Sequence, residues 1–188
     1  IKQDFNLDLK IDSDDIKKFI IDEILNDIKE DLKKLDIKHN LFTSEKEIIT
    51  KQNVEIVIED LKKKNLVYEG YLDQPKGKIS DDWKSEKQTL FKSKDIGDDV
   101  DRTLIKPNGD ITYFMSDIVY HNDKIKRNYD ILINIWGVDH AGYVKRIQNA
   151  VKSINKKDVQ FKIQLTSLVN LIENNEPYKM SKRKGKYV

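Results

Sequence analysis

The sequence predicts an α/β chain: part of a doubly wound parallel sheet with flanking helices, joined to an α+β connecting insertion. Three observations predict it. Ile131-Leu132-Ile133-Asn134-Ile135-Trp136 is a nearly continuous apolar run, as expected of a strand buried on both faces. A helical stretch from about Ala141 to Ile154 and a second strand-like run, Val159 to Leu165, follow it, and this order implies a parallel sheet with a crossover helix. Upstream, short strand-like runs alternate with helical periodicity. On this reading residues 1–110 form the connecting segment and residues 111–188 the second half of a nucleotide-binding domain.

Taken in order, residues 1–12 are peripheral. Ser13 with Asp14 and Asp15 marks a helix start, acidic residues being favoured at the positive end of the helix dipole. Ile16, Phe19, Ile20, Ile24, Ile28, Leu32 and Leu35 recur at helical spacing, which predicts a helix packed on a core. Ile37 to Phe42 reads as a short strand. Thr43 or Ser44 caps a second helix with the stripe Ile48, Val54, Val57, Ile58 and Leu61. Leu66 to Tyr71 reads as a strand and Asp73 to Lys87 as a polar loop. Val100–Lys106 and Ile111–Phe114 flank Pro107-Asn108-Gly109-Asp110, a hairpin signal in which Asn-Gly supplies positive φ. Ser116 is placed to cap a helix running to about Lys126. Thr166 to Glu173 fits either a strand or a short helix.

Composition excludes several classes. The 188 residues carry 35 basic and 33 acidic side chains, a net charge of +2, which is no nucleic-acid footprint by itself. Charged residues make up 36%, but Ile, Leu and Val are too plentiful for disorder. With no Cys, disulfides and thiolate metal sites are excluded, and the three His (39, 121 and 140) are too scattered for a zinc site. No apolar run is long enough to cross a membrane, and no signal-peptide segment is present, so a cytoplasmic protein is expected. The chain starts on Ile1 and not on Met, from which a fragment is expected.

Three segments carry chemistry. Tyr178-Lys179-Met180-Ser181-Lys182-Arg183 places two ammonium groups three residues apart in a loop. Such a loop can clamp a triphosphate and follow its charge as pyrophosphate leaves, although a Lys-rich string also suits a solvated tail. Trp136-Gly137-Val138-Asp139-His140-Ala141-Gly142-Tyr143 lies past the buried strand and opens a helix, where nucleotides sit in open α/β sheets. Gly137 would let a nucleotide approach the backbone and Asp139 or His140 could bind a ribose hydroxyl; alternatively His140 is a helix cap. In Thr112-Tyr113-Phe114-Met115-Ser116-Asp117-Ile118-Val119-Tyr120-His121, Tyr113 is read as ending a strand, Asp117 lies on the first helical turn after it, and Asp117 and His121 share a helix face. Asp117 could equally be a partner of the helix dipole.

Together these strings resemble the bacterial arginyl-tRNA synthetases, class I aminoacyl-tRNA synthetases with a Rossmann-like catalytic domain. Lys179-Met180-Ser181-Lys182 resembles their KMSKS loop, departing only at Arg183. The likeness takes in Val67-Tyr68-Glu69-Gly70, Pro75-Lys76-Gly77-Lys78, Gln88 to Ser93 and Gly97-Asp98-Asp99-Val100-Asp101-Arg102. It is dense from about residue 60 and looser before. The resemblance implies that Lys179 and Lys182 are catalytic, and that Gly137, Asp139, His140, Lys179, Met180, Ser181 and Lys182 bind ATP with its Mg²⁺, with no protein-ligated metal. It also implies that Tyr113, Asp117 and Glu45, the last from Phe42-Thr43-Ser44-Glu45, hold the substrate arginine. A guanidinium is a planar fork of donors that suits paired carboxylates. The expected partners are L-arginine, ATP and arginine tRNA, with tRNA needed for activation, no membrane, and a monomeric parent enzyme. The His-Ile-Gly-His-like motif of the class is missing, so half of the ATP site and part of the arginine pocket are expected to lie outside the chain, and the fragment alone is expected to be nearly inactive. Another class I synthetase and a non-catalytic RNA- or protein-binding module are the alternatives.

Overall fold

The computed structural model describes residues 14–72, 85–167, 169–173 and 175–177. The chain forms two compact units, residues 1–43 and 44–188. Among the described residues no helix is long and apolar enough to cross a membrane.

The first unit holds helix α1 (Asp14–Lys34), opened by Asp14 and Asp15 and closed by Lys33 and Lys34 as the dipole favours. The expected burial of its stripe is not seen within this unit: no residue of α1 is buried, and Phe19, Ile20, Ile24 and Ile28 stand exposed. The strand expected over Ile37–Phe42 does not form either. The amide of Ile37 closes the end of α1 on the Leu32 carbonyl, Asp36 adopts φ 54°, and the segment finds no pairing strand among the described residues. Phe42 instead meets the His39 ring at 5.5 Å and the Lys29 ammonium at 5.0 Å.

In the second unit the expected second helix is two. Helix α2 (Glu45–Ile48) ends where Thr50 turns extended, and Thr50 then caps α3 (Lys51–Lys63) by accepting from the Asn53 amide at 3.2 Å. The Asn53 side chain ties the break by donating to the Ile48 carbonyl at 2.8 Å. The α3 stripe Val54, Val57, Ile58 and Leu61 is buried, as its spacing requires.

Strands β1 (Val67–Gly70), β2 (Gln88–Phe91) and β3 (Arg102–Ile105) form an antiparallel sheet with β2 in the middle. The sequence gives little sign of β2, because Thr89, Leu90 and Phe91 are buried in succession past a register shift, without the alternation that marks a strand. The turn Pro107–Asp110 forms, with the Asp110 carbonyl accepting from the Lys106 amide at 2.8 Å, but Gly109 alone takes positive φ, 86°, and Asn108 does not. Its return strand shrinks to one bridge, Ile105 with Ile111. Thr112, and not Ser116, caps the next helix: its hydroxyl accepts from the Met115 amide at 3.2 Å and donates to the Thr103 carbonyl at 2.8 Å. Tyr113 therefore opens helix α4 (Tyr113–Lys126) and does not end a strand.

Strand β4 (Ile131–Gly137), helix α5 (Ala141–Ile154) and strand β5 (Gln160–Thr166) make the expected parallel crossover unit, paired from Ile131–Gln160 to Gly137–Thr166. Only one face of β4 is covered. Leu132 and Asn134 are buried, whereas Ile131, Ile133 and Ile135 are exposed, against the expectation of burial on both faces. Ile147, Ala150, Val151 and Ile154 of α5 join residues of α3, α4, β1, β2 and β3 in one hydrophobic core. Two short antiparallel strands, β6 (Ile172–Glu173) and β7 (Glu176–Pro177), close the described chain.

Candidate active site

The head of α4 carries the candidate arginine residues. The cap at Thr112 hooks this helix onto β3, fixing the direction in which its first turns project. Tyr113, first in the helix, is 90% exposed. One turn on, Asp117 is largely withdrawn from solvent, and its Oδ2 accepts from the Tyr143 hydroxyl of α5 at 2.7 Å. Burial raises the Asp117 pKa, the Tyr143 hydrogen bond works against that rise, and the Glu45 carboxylate at the start of α2 pushes it further up. Lys124 and His140 pull the other way. The structure thus brings Glu45 close enough to Asp117 for the two charges to repel. A cation between them would relieve both repulsion and desolvation.

Tyr143 is held as firmly as the carboxylate it serves. Its ring stacks on Trp136 at 5.9 Å, meets Phe114 edge-on at 6.3 Å, and lies under the Arg146 guanidinium at 5.5 Å. Burial, and then the Asp117 charge, push its phenol pKa up, so the hydroxyl stays a donor. Residue identity alone did not single out Tyr143. The available signal was its place, three residues past His140 in the first turn of the helix.

The backbone beneath Asp117 has its own support. The Asp117 carbonyl lies 2.7 Å from His121 Nδ1, and His121 Nε2 lies 2.8 Å from the Asn134 amide nitrogen. An Asn amide nitrogen only donates, so Nε2 accepts and Nδ1 carries the proton that is donated to Asp117. The Asn134 oxygen then accepts from Lys124 Nζ at 2.9 Å. Burial lowers the His121 pKa to about 4 and lowers that of Lys124 as well. His121 is therefore a neutral support, and its ring packs edge-on against Phe161 at 5.1 Å.

The Gly97–Arg102 string folds into an ion-pair knot on α5. Arg102 grips Asp98 with two hydrogen bonds, Nε to Oδ2 at 2.9 Å and Nη2 to Oδ1 at 2.7 Å, and Arg146 adds Nε to Oδ2 at 2.9 Å. The Arg102 hydrogen bond is the main reason that the Asp98 carboxyl sits well below the usual carboxylate range. Gly97 closes the preceding turn at φ 97°. Nearby, Asp101 accepts from the Tyr68 hydroxyl at 2.8 Å, and burial with this bond pushes Tyr68 up to about 12.

The candidate nucleotide turn lies between β4 and α5. Gly137 ends the strand and Val138–His140 form a short 3-10 turn. His140 stands at the N-terminus of α5 but makes no side-chain cap bond. Its Nε2 is 3.6 Å from the Asp139 carboxylate, with both side chains exposed. Lys179, Met180, Ser181 and Lys182 lie outside the described residues. Among the described residues no group of three or more His, Asp or Glu is placed to hold a metal ion.

The site thus combines the parallel crossover unit β4–α5–β5, the turn Val138–His140 at its end, and Asp117 under the influence of the Glu45 carboxylate. No family model matches the chain. It is 49% identical over 174 residues, 93% of its length, to the arginine–tRNA ligase of Roseobacter denitrificans, and 45% identical over 179 residues to that of Wolbachia pipientis wMel. A crystal structure from Campylobacter jejuni, provisionally assigned as an arginyl-tRNA synthetase, superposes with a TM-score of 0.67 at 33% identity, covering 85% of this chain and 32% of that one. The arginyl-tRNA synthetase of Plasmodium falciparum, 18% identical with a TM-score of 0.56, shares the fold. The chain belongs to the arginyl-tRNA synthetase family. It spans about 30% of the length of these curated relatives.

Proposed function

We propose that this chain is part of an arginine–tRNA ligase and supplies one side of its arginine pocket and one side of its ATP site. The observation that carries the reading is the carboxylate pair, Glu45 bearing on a mostly buried Asp117, with Tyr113 at the same helix head. Two carboxylates within electrostatic reach of one another suit a guanidinium and disfavour an anionic amino acid. The relatives named arginine–tRNA ligase support the same substrate. In the reaction proposed, the arginine carboxylate attacks the α-phosphate of ATP. Arginyl-adenylate forms, pyrophosphate leaves, and the arginyl group passes to the 3′ end of arginine tRNA.

The residues of this chain would act mainly by position and charge. Gly137, Asp139 and His140 would meet the nucleotide at the end of β4. Lys179 and Lys182, with Met180 and Ser181 between them, would face the phosphates, and Mg²⁺ would arrive with ATP to share that charge. Residues 1–110 would connect the halves of the nucleotide fold and residues 111–188 would form its second half. The setting is cytoplasmic.

The test is tRNA-dependent ATP–pyrophosphate exchange by the full-length enzyme encoded with this chain. Asp117→Asn should raise the KM for arginine about 100-fold while leaving that for ATP within about twofold, the loss expected when a buried charged partner is removed. Activation of another amino acid in preference to arginine would overturn the reading, as would an unchanged arginine KM.

A further inference from the structure

We infer that Tyr143 is a positioning residue for substrate selection: its hydroxyl occupies one oxygen of Asp117 and so leaves the other, Oδ1, to the substrate cation. The inference rests on the reading of Asp117 as part of the arginine pocket. Its geometric basis is independent of that reading.

Asp117 Oδ2 accepts from Tyr143 at 2.7 Å, whereas Oδ1 accepts no hydrogen bond from a described residue. Among the described residues no buried side-chain oxygen or nitrogen lacks a partner, so Oδ1 must be open to solvent. The carboxylate thus has one satisfied oxygen facing the protein and one oxygen facing out. The phenol cannot swing away with it, since Trp136, Phe114 and Arg146 enclose its ring on three sides. An aspartate without this donor would be free to rotate about its last torsion, and a guanidinium would have to fix that rotation on binding. With the donor in place, orientation is settled before arginine arrives. A shorter-reaching or differently shaped cation, such as a lysine-type ammonium, then meets an oxygen aimed for a planar fork.

A role limited to packing predicts something different, because Tyr143→Phe keeps the ring and removes only the hydroxyl. The groups that face Asp117 are Tyr143 from α5, Glu45 from α2, Lys124 from its own helix and His140 from the turn before α5. Of these the Tyr143 bond is the strongest influence holding the carboxyl ionised. Without it the carboxyl should protonate at higher pH, and the acid limb of kcat/KM for arginine should move upward.

The experiment compares wild-type, Tyr143→Phe and Asp117→Asn full-length enzymes in tRNA-dependent exchange across pH, with ATP KM and thermal unfolding measured alongside. The expected result is a roughly tenfold higher arginine KM in Tyr143→Phe, the usual scale for one hydrogen bond to a charged group, with an upward-shifted acid limb, weaker discrimination against lysine and an ATP KM within about twofold. If Asp117→Asn raises arginine KM but Tyr143→Phe changes neither that KM nor the acid limb, the inference is wrong and the arginine pocket stands. If Tyr143→Phe lowers the melting temperature and harms arginine and ATP parameters alike, its role is structural and the inference again fails. If Asp117→Asn leaves arginine KM untouched, the pocket reading itself fails, and this inference with it.

Discussion

Acidification from pH 7 to pH 4 should destabilise this fold through His121. The residue is 2% exposed and bonded at both ring nitrogens, and burial lowers its pKa from 6.5 to about 4. Between those values the unfolded chain takes up a proton that the folded chain refuses, so stability rises with pH across the window and is lost as pH falls. Each pH unit of difference corresponds to about 1.4 kcal/mol. The loss should therefore reach about 2 kcal/mol by pH 5 and about 3 kcal/mol by pH 4. Asp117 has the opposite sign, since a raised carboxylate pKa makes the folded state the better proton binder. The comparison must for that reason be made between proteins and not read from one curve. Urea unfolding of wild type and His121→Asn at pH 7, 6 and 5 gives it. The variant should be less stable at pH 7 but should lack the His121 slope, and proton NMR should show the wild-type ring neutral at pH 5.5. Equal slopes in the two proteins, or a ring that titrates near 6.5, would refute the reasoning.

Two further outcomes follow from the other charged groups. Asp98→Ala leaves Arg146 without this carboxylate and Arg102 with Asp99 alone, in a site where the Asp98 and Arg102 side chains are only 13% and 25% exposed. It should cost about 3 kcal/mol in urea unfolding at neutral pH, in line with breaking a partly buried ion pair. The wild-type stabilisation should be lost as pH falls below about 4, because the folded carboxyl is the stronger acid. Glu45→Gln removes the charge that pushes Asp117 upward, so the Asp117 carboxyl should titrate at lower pH in the variant by carbon-detected NMR. An unchanged titration would mean that the two carboxylates do not sense one another.

What the sequence made legible divides along physical lines. The β4–α5–β5 unit was legible because a nearly continuous apolar run marks the strand and amphipathic periodicity marks the helix. The α3 stripe was legible for the same reason. The head of α4 was misplaced by several residues, since Thr112 and Ser116 are both good caps and only the Thr112–Thr103 bond, a tertiary contact, chooses between them. Strand β2 lacks alternation and borrows its order from two neighbours. The exposed face of β4 could not be foreseen from a run of isoleucines, which records how apolar a strand is and not what covers it. At the site, Asp117 and Glu45 were reached through family resemblance and motif strings. Tyr143, Asn134 and Lys124 were not singled out, because a hydrogen-bond partner from another element leaves no mark in local spacing.

Asp117 is held by two independent routes, one to strand β4 and one to helix α5. Its carbonyl is tied through His121 to Asn134, in the middle of β4. Its side chain is tied through Tyr143 to the first turn of α5. Strand β4 and helix α5 are the two elements that bracket Gly137–His140, the turn proposed to meet ATP. Trp136, the residue before that turn, stacks on Tyr143 at 5.9 Å and lies 6.1 Å from the His140 ring. A displacement of the turn therefore cannot leave Asp117 unaffected unless a short hydrogen bond breaks or a packed ring moves. Close packing makes such supports switch between discrete positions and resist gradual strain. If arginine and ATP bind where proposed, the two sites share one rigid frame, and their relative geometry is fixed by β4 and α5 before either ligand binds.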